Sequence, residues 1–245
     1  MDRPKTDRPA FALFRAALRR VLMPSCIVCG LDVTGAHGEP VCPACLDDFF
    51  PADCVRCRIC AIRLPAGRAV SPDLACGRCL ARPPQFDASV ALADYAAPVD
   101  GMIAALKFHA RLDLGWAFGW LLAQRMQNLD FDAVVPVPLS PQRLRERGYN
   151  QAEEIARAIS VQLRRPLLRD ALVRQRHRPA QQELGLAQRR TNVRGAFAVG
   201  RPPAVRRLLL VDDVLTTGST LDDAATCLRR AGARVIINAV AARTP

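Results

Sequence analysis

Apolar and polar positions change rhythm partway along this chain. From about residue 86 onward, short apolar runs alternate with stretches in which apolar residues recur every three or four positions. The runs at 89–95, 133–137, 167–173, 208–211 and 235–241 read as strands, and the most continuously apolar of them have the texture of strands buried on both faces. Helical patterns fall at 98–108, 112–127, 150–163 and 219–231. Pro98 suits a first helical turn, Asn150 with Glu153 three residues on makes a capping-box-like start, and Gly232 supplies a stop. Such alternation predicts an α/β domain with a mainly parallel sheet, whose ligand sits beyond the carboxyl ends of the strands. The polar stretch 174–194 has no clear period, and a loop of that length inside a compact domain is usually functional or mobile.

Before residue 86 the texture differs. Phe11, Phe14, Leu18 and Val21 or Leu22 recur at helical spacing, which predicts an amphipathic helix docked on the next module or laid on a membrane surface. Arg15, Arg19 and Arg20 interrupt that stretch, which a secretory signal does not tolerate, and no run of about 18 to 20 uncharged apolar residues occurs to span a membrane. The expected location is therefore the cytoplasm, a reducing compartment in which ten cysteines do not make a disulfide framework. Eight of the ten fall in four Cys-x2-Cys pairs: Cys26 and Cys29, Cys42 and Cys45, Cys57 and Cys60, Cys76 and Cys79. Two such pairs place four thiolates around one tetrahedral Zn²⁺ and leave no open coordination position, so the expectation is two structural zinc sites without catalytic work. Sequential pairing is the simplest assignment, and a crossed pairing uses the same residues. Cys54, three residues before Cys57, is a spare thiol or a substitute ligand; Cys227 reads as a core residue, and His37 as exposed rather than ligating. The texture changes after Arg82-Pro83-Pro84, dividing the chain into 1–85, helix plus cysteine module, and 86–245, the α/β domain.

Composition and charge narrow the partners. With 50% hydrophobic and 24% charged residues over 245 positions, the chain has enough apolar material for a sizeable core, unlike a disordered tail. Its net charge is +12, and the only lysines are Lys5 and Lys107, so nearly all the cations are arginines, whose planar forks suit phosphate. Between Arg164 and Arg207 stand twelve arginines and two acids, a local concentration that codon composition does not explain. A loop that neutralises a phosphorylated ligand and a surface that follows a nucleic-acid backbone both fit. Phe197 is the only aromatic in that span, so it offers no built-in platform for stacking single-stranded bases.

The segment 209–220, Leu-Leu-Val-Asp-Asp-Val-Leu-Thr-Thr-Gly-Ser-Thr, carries the candidate chemistry. Its amides and the hydroxyls of Thr216, Thr217, Ser219 and Thr220 can surround a phosphate at a helix N-terminus. Asp212 and Asp213 repel phosphate but suit a diol or Mg²⁺, so the pattern asks for a ligand bearing both phosphate and ribose hydroxyls.

That segment is similar to the phosphoribosyl-pyrophosphate (PRPP) signature of type I phosphoribosyltransferases. The Cys-x2-Cys pairs, then Cys76-Gly77-Arg78-Cys79-Leu80 with Pro83-Pro84-x-Phe86-Asp87, Leu106-Lys107-Phe108, Val135-Pro136-Val137-Pro138 and Arg147-Gly148-Tyr149-Asn150-Gln151, followed by this loop, resemble in this order the ComF family. The resemblance runs from about residue 20 to 242. It implies a type I phosphoribosyltransferase-like parallel sheet with flanking helices, preceded by a small double zinc ribbon, in a family whose members include competence proteins involved in DNA uptake. It further implies PRPP bound with Mg²⁺, Asp212 and Asp213 on the ribose hydroxyls, and Val211 with Thr216, Thr217, Gly218, Ser219 and Thr220 around the 5′-phosphate. Residues 135–140 take the place of the pyrophosphate loop and 174–194 that of the flexible loop. Lys107 and Arg147 reach phosphate or are solvated, and Tyr149 packs. Some purine phosphoribosyltransferases carry an Asp two residues before the loop glycine; Thr216 stands there, which argues against direct purine salvage. His109 and His177 are proton shuttles or incidental surface residues. The implied activity is phosphoribosyl transfer to an unidentified acceptor, the alternative a non-catalytic PRPP-sensing or nucleic-acid-binding accessory protein in natural transformation. Single-stranded DNA and competence-machinery proteins are the implied partners of the ribbons.

Overall fold

Four strands form one all-parallel sheet: β1 (Ala88–Asp94), β6 (Val235–Arg243), β5 (Arg207–Leu215) and β2 (Ala133–Pro136), hydrogen-bonded in that order. The computed structural model describes residues 25–33, 39–65, 74–175 and 195–245. The amphipathic pattern at 11–22, His37, His177 and residues 176–194 of the arginine-rich loop lie outside the described residues.

The sheet is buried on both faces, as its near-continuous apolar strands require. On one face pack α3 (Val99–Phe108), α4 (Leu112–Arg125) and α6 (Gln151–Leu163). Gly119 lets α4 and α6 approach closely: a Cβ there would lie 2.4 Å from the Ile155 carbonyl oxygen and 2.5 Å from the Ala158 Cβ. On the other face, Leu221, Ala224, Ala225 and Leu228 of α7 (Ser219–Arg230) join Leu208, Leu210, Val135 and Ile236 in one cluster. Leu172 and Phe197 belong to the same cluster and come from a two-stranded antiparallel ribbon, β3 (Leu172–Arg174) with β4 (Phe197–Val199).

Two sequence expectations change in detail, and one helix is added to them. The run at 167–173 is not one strand. Leu167 bridges Val134 in parallel, with Val134 N–H on the Pro166 carbonyl and Leu168 N–H on the Val134 carbonyl, and the chain then turns into β3. Strand β5 continues beyond the apolar run through both acids to Leu215, because β6 runs beside it that far. A short helix, α5 (Pro141–Arg147), has no buried residue and hence no apolar stripe to betray it; Ser140 caps it, accepting the Arg143 N–H at 3.3 Å, with Pro141 in its first turn.

Two compact units partition the chain, 1–50 and 51–245. The smaller contains Cys26, Cys29, Cys42 and Cys45 with α1 (Pro43–Phe49). In the larger, Cys57, Cys60, Cys76 and Cys79, with α2 (Gly77–Ala81), are bonded into the sheet: Ser89 donates its N–H to the Arg58 carbonyl at 2.9 Å and its hydroxyl to the Ile59 carbonyl at 2.6 Å. No helix among the described residues is long and apolar enough to cross a membrane.

Candidate functional site

At the carboxyl end of β5, the period-two alternation of the strand separates the adjacent acids. Leu208 and Leu210 face α7, and Asp213, out of phase with them, turns to the opposite face, where α3 and α6 lie. Asp213 is 5% exposed and already engaged. Its Oδ2 lies 3.0 Å from Lys107 Nζ at the end of α3 and accepts the Gln151 Nε2–H from the first residue of α6 at 2.8 Å. Gln151 Oε1 accepts in turn from Arg147, whose guanidinium stacks over the exposed Phe108 ring, 5.4 Å from its centroid. Lys107, Arg147 and Asp213, three of the expected site residues, are thus joined in one network through Gln151.

Asp212 differs. It is half-buried, and its carboxyl is pushed up to about 7 by burial and by the neighbouring Asp213 charge, a rise that Lys107 and Arg174 only partly counter. A cation or a diol that favours the carboxylate opposes that rise and promotes ionisation.

Both acids line a cleft of about 670 Å³ together with Thr216, Thr220 and Val214. Thr217 and Ser219 link their hydroxyls at 2.8 Å, and Gly218 turns the chain at φ +87°, in the left-handed region that only glycine adopts without strain, just before α7 begins. Opposite this loop lie Val137, Pro138 and Leu139, positioned by Val137 N–H on the Val211 carbonyl (2.9 Å) and by Asn150 Nδ2 on the Val137 carbonyl (3.0 Å). Asn150 also accepts the Ala152 N–H at 3.1 Å and so caps α6. The Glu153 carboxylate does not complete the capping box; it pairs with Arg169 at 2.6 Å. Tyr149 donates its hydroxyl to the Leu106 carbonyl, a packing role.

Arg143, Arg147 and Arg174 line the same cleft. Burial pushes the Arg174 guanidinium down, and nearby Arg143 adds to the effect; its Nε is buried without a partner and its plane stacks on Phe197 at 5.4 Å. Cations gathered this closely call for an anion between them. The sequence singled out neither Arg143 nor Gln151 for a role, and gave Arg174 one only as the first residue of the expected flexible loop. The signal for Gln151 was its position just after the Asn150 cap, which aims the first turn of α6 at the sheet end. His109 is exposed and does not line the cleft.

Each cysteine quartet brings its four sulfurs within 4.8 Å of one another, in sequential pairing. Cys29 and Cys42 sulfurs lie 3.8 Å apart, as do those of Cys60 and Cys76. Tetrahedral Zn–S bonds of about 2.3 Å require edges of about 3.8 Å, so the donor sets fit zinc. Although burial pushes the Cys26 and Cys57 thiols up, the amides of residues 28, 29 and 42, and of 59, 60 and 76, bring them to about 6 and about 7. Cys45 and Cys79 are driven up by burial and by the neighbouring thiols, a conflict that a bound dication removes. Cys54 lies outside the quartet and accepts from Arg63 at 2.7 Å; Cys227 is half-buried against the α7 core.

A parallel sheet with a hydroxyl-rich turn after two acids defines a phosphoribosyltransferase-type domain, and residues 122–245 match the phosphoribosyl transferase domain family. The chain is 34% identical over 218 residues to the DNA utilization protein YhgH of Escherichia coli (strain K12), covering 86% of this chain and 93% of that one. It is also 34% identical over 171 residues to Competence protein F of Haemophilus influenzae, covering 66% of this chain and 75% of that one. To Competence protein ComFC of Streptococcus pneumoniae it is 24% identical over 211 residues, with 86% and 84% covered. The chain belongs to the ComF family.

Proposed function

We propose that the cleft binds PRPP with Mg²⁺ and that the protein transfers the phosphoribosyl group to an acceptor met in DNA utilisation or competence. The carrying observation is the inequality of the two acids: Asp213 is held by Lys107 and Gln151, which leaves Asp212 to receive the ribose hydroxyls. Backbone amides and hydroxyls of Thr216 to Thr220 hold the 5′-phosphate at the start of α7. Arg143, Arg147 and Arg174 face the pyrophosphate and stabilise the charge that gathers on it as the anomeric carbon becomes cationic. Mg²⁺, when bound, adds to that neutralisation. The two quartets hold structural zinc and serve partner or nucleic-acid contact.

A second reading, PRPP sensing without turnover, draws on Thr216, which stands where a loop carboxylate would act on a base. Calorimetry with PRPP and Mg²⁺ tests the shared part. Binding is expected in the wild type and lost in Asp212→Asn; absence of binding, or equal binding by the variant, overturns both readings. Pyrophosphate release with candidate acceptors then divides enzyme from sensor.

A further inference from the structure

We propose that Arg78 and Arg243 are positioning residues for the phosphate loop, held in place by the second cysteine quartet and its metal. This rests on the PRPP reading and adds a requirement that it does not contain. Arg78 stands between Cys76 and Cys79 on α2, exposed, and donates from Nη2 to the Thr217 carbonyl at 2.8 Å. In a planar trans peptide the C=O and the next N–H point in opposite directions. Fixing the Thr217 carbonyl on Arg78 therefore fixes the Gly218 N–H away from it and sets the plane of the peptide at the centre of the loop.

Arg243, at the end of β6, is 2% exposed. Its Nε donates to the Cys60 carbonyl at 2.9 Å and its Nη1 to the Leu215 carbonyl at 3.1 Å, with further bonds to the Thr244 carbonyl and hydroxyl. All of these acceptors are neutral oxygens, and a buried cation so placed is costly unless a negative charge stands close by. Four thiolates around one dication carry a net −2, and Cys60 belongs to that set. The arginine that anchors Leu215 is thus tied directly to the turn that carries a metal ligand of the second quartet. Arg243 at Leu215 and Arg78 at Thr217 bracket Thr216, which lines the cleft. Phe86, buried in the same core as Ala61, would lie 3.9 Å from a Cβ on Gly218 and supports the turn from beneath.

The test compares zinc-loaded full-length Arg78→Ala and Arg78→Lys with Arg82→Ala, an equally exposed arginine at the end of the same helix. Hydrogen exchange read at the amides of 216–220, without ligand, is expected to quicken about tenfold in Arg78→Ala, to recover in part in Arg78→Lys and to stay at the wild-type rate in Arg82→Ala. Removing the metal with Cys60→Ser/Cys76→Ser is expected to quicken the same amides. Affinity for Mg²⁺ and PRPP is expected to fall about tenfold in Arg78→Ala with an unchanged melting temperature. Unchanged loop exchange in Arg78→Ala, or an equal loss in Arg82→Ala, overturns the proposal. A wild type that fails to bind PRPP while its loop exchange responds to Arg78→Ala would sink the ligand reading and uphold the positioning role.

Discussion

In the first quartet Cys29 is exposed and Cys42 half-buried, whereas Cys57, Cys60 and Cys79 of the second are buried, with Val55, Ile59, Ile62 and Leu64 packed about them. The first belongs to the unit 1–50, whose described residues bury Val41 and Phe50 beside Cys26 and Cys45. The second forms a small cluster that meets the core of the four-stranded sheet through Ile59 and Ala61 and bonds to the sheet through Ser89, Asp94 and Arg243. The same spacing thus serves two ends. In the larger unit the second metal is expected to fasten a corner of a core that already exists, whereas loss of the first metal is expected to leave that core untouched.

That contrast can be broken most forcefully by removing one metal at a time. Cys60→Ser/Cys76→Ser is expected to lower the melting transition of the larger unit by about 10 °C, on the order of 3 to 5 kcal/mol, and to halve the zinc content. Cys29→Ser/Cys42→Ser is expected to halve the zinc content and leave that transition in place. Calorimetry with metal analysis checks both, and equal losses from the two variants would erase the distinction.

Acidity sharpens it next, because Asp212 lies in the larger unit alone. Its carboxyl titrates at about 7 when folded and near 4 when unfolded. A group raised on folding favours the fold fully below pH 4, and that contribution is lost as pH rises through 7. The larger unit should therefore be less stable at pH 8 than at pH 5, by at most about 3 kcal/mol from this group, and Asp212→Asn should flatten the dependence while ending PRPP binding. A wild type and variant with parallel pH profiles would refute this.

Smaller changes probe the fastening itself. Arg56 pairs with Asp94 at 2.6 Å, both side chains largely buried, and donates to the Ala61 carbonyl at 3.1 Å. Arg56→Ala is expected to cost the larger unit about 2 kcal/mol in denaturant unfolding. Ser89 donates to Ile59 and accepts from Asn238 Nδ2 at 3.0 Å; Ser89→Ala is expected to cost about 1 kcal/mol, and no cost would mean that the ribbon is not held there.

Much of this was legible in the chain. The alternation of apolar runs and helical stripes located the sheet and the long helices, because burial on one or two faces imposes those periods directly. The spacing of the cysteine pairs likewise announced the quartets, since each pair is a local turn. What could not be read was long-range. Asp212 and Asp213 are identical neighbours in sequence, and only α3 and α6, placed against one face of β5, make the second the one that Lys107 holds. Helix α5 escaped because none of its residues is buried and so no apolar stripe marks it, and the split of 167–173 came from Leu167 bridging Val134 before the chain turns into β3. The attachment of the second quartet to the phosphate loop depends on Arg78 and Arg243, which lie 139 and 28 residues from the carbonyls they hold.

Strand β1 lies at an edge of the sheet, with one side of its backbone unpaired by any strand among the described residues. Two of its outward groups are already claimed: the Ser89 N–H by the Arg58 carbonyl, beside the second quartet, and the Ala91 carbonyl by Arg125 at 2.8 Å. An open edge of Ala-Ser-Val-Ala-Leu-Ala is a template for another chain. The cysteine turn covers part of that edge, and protein stripped of zinc is expected to aggregate before it unfolds.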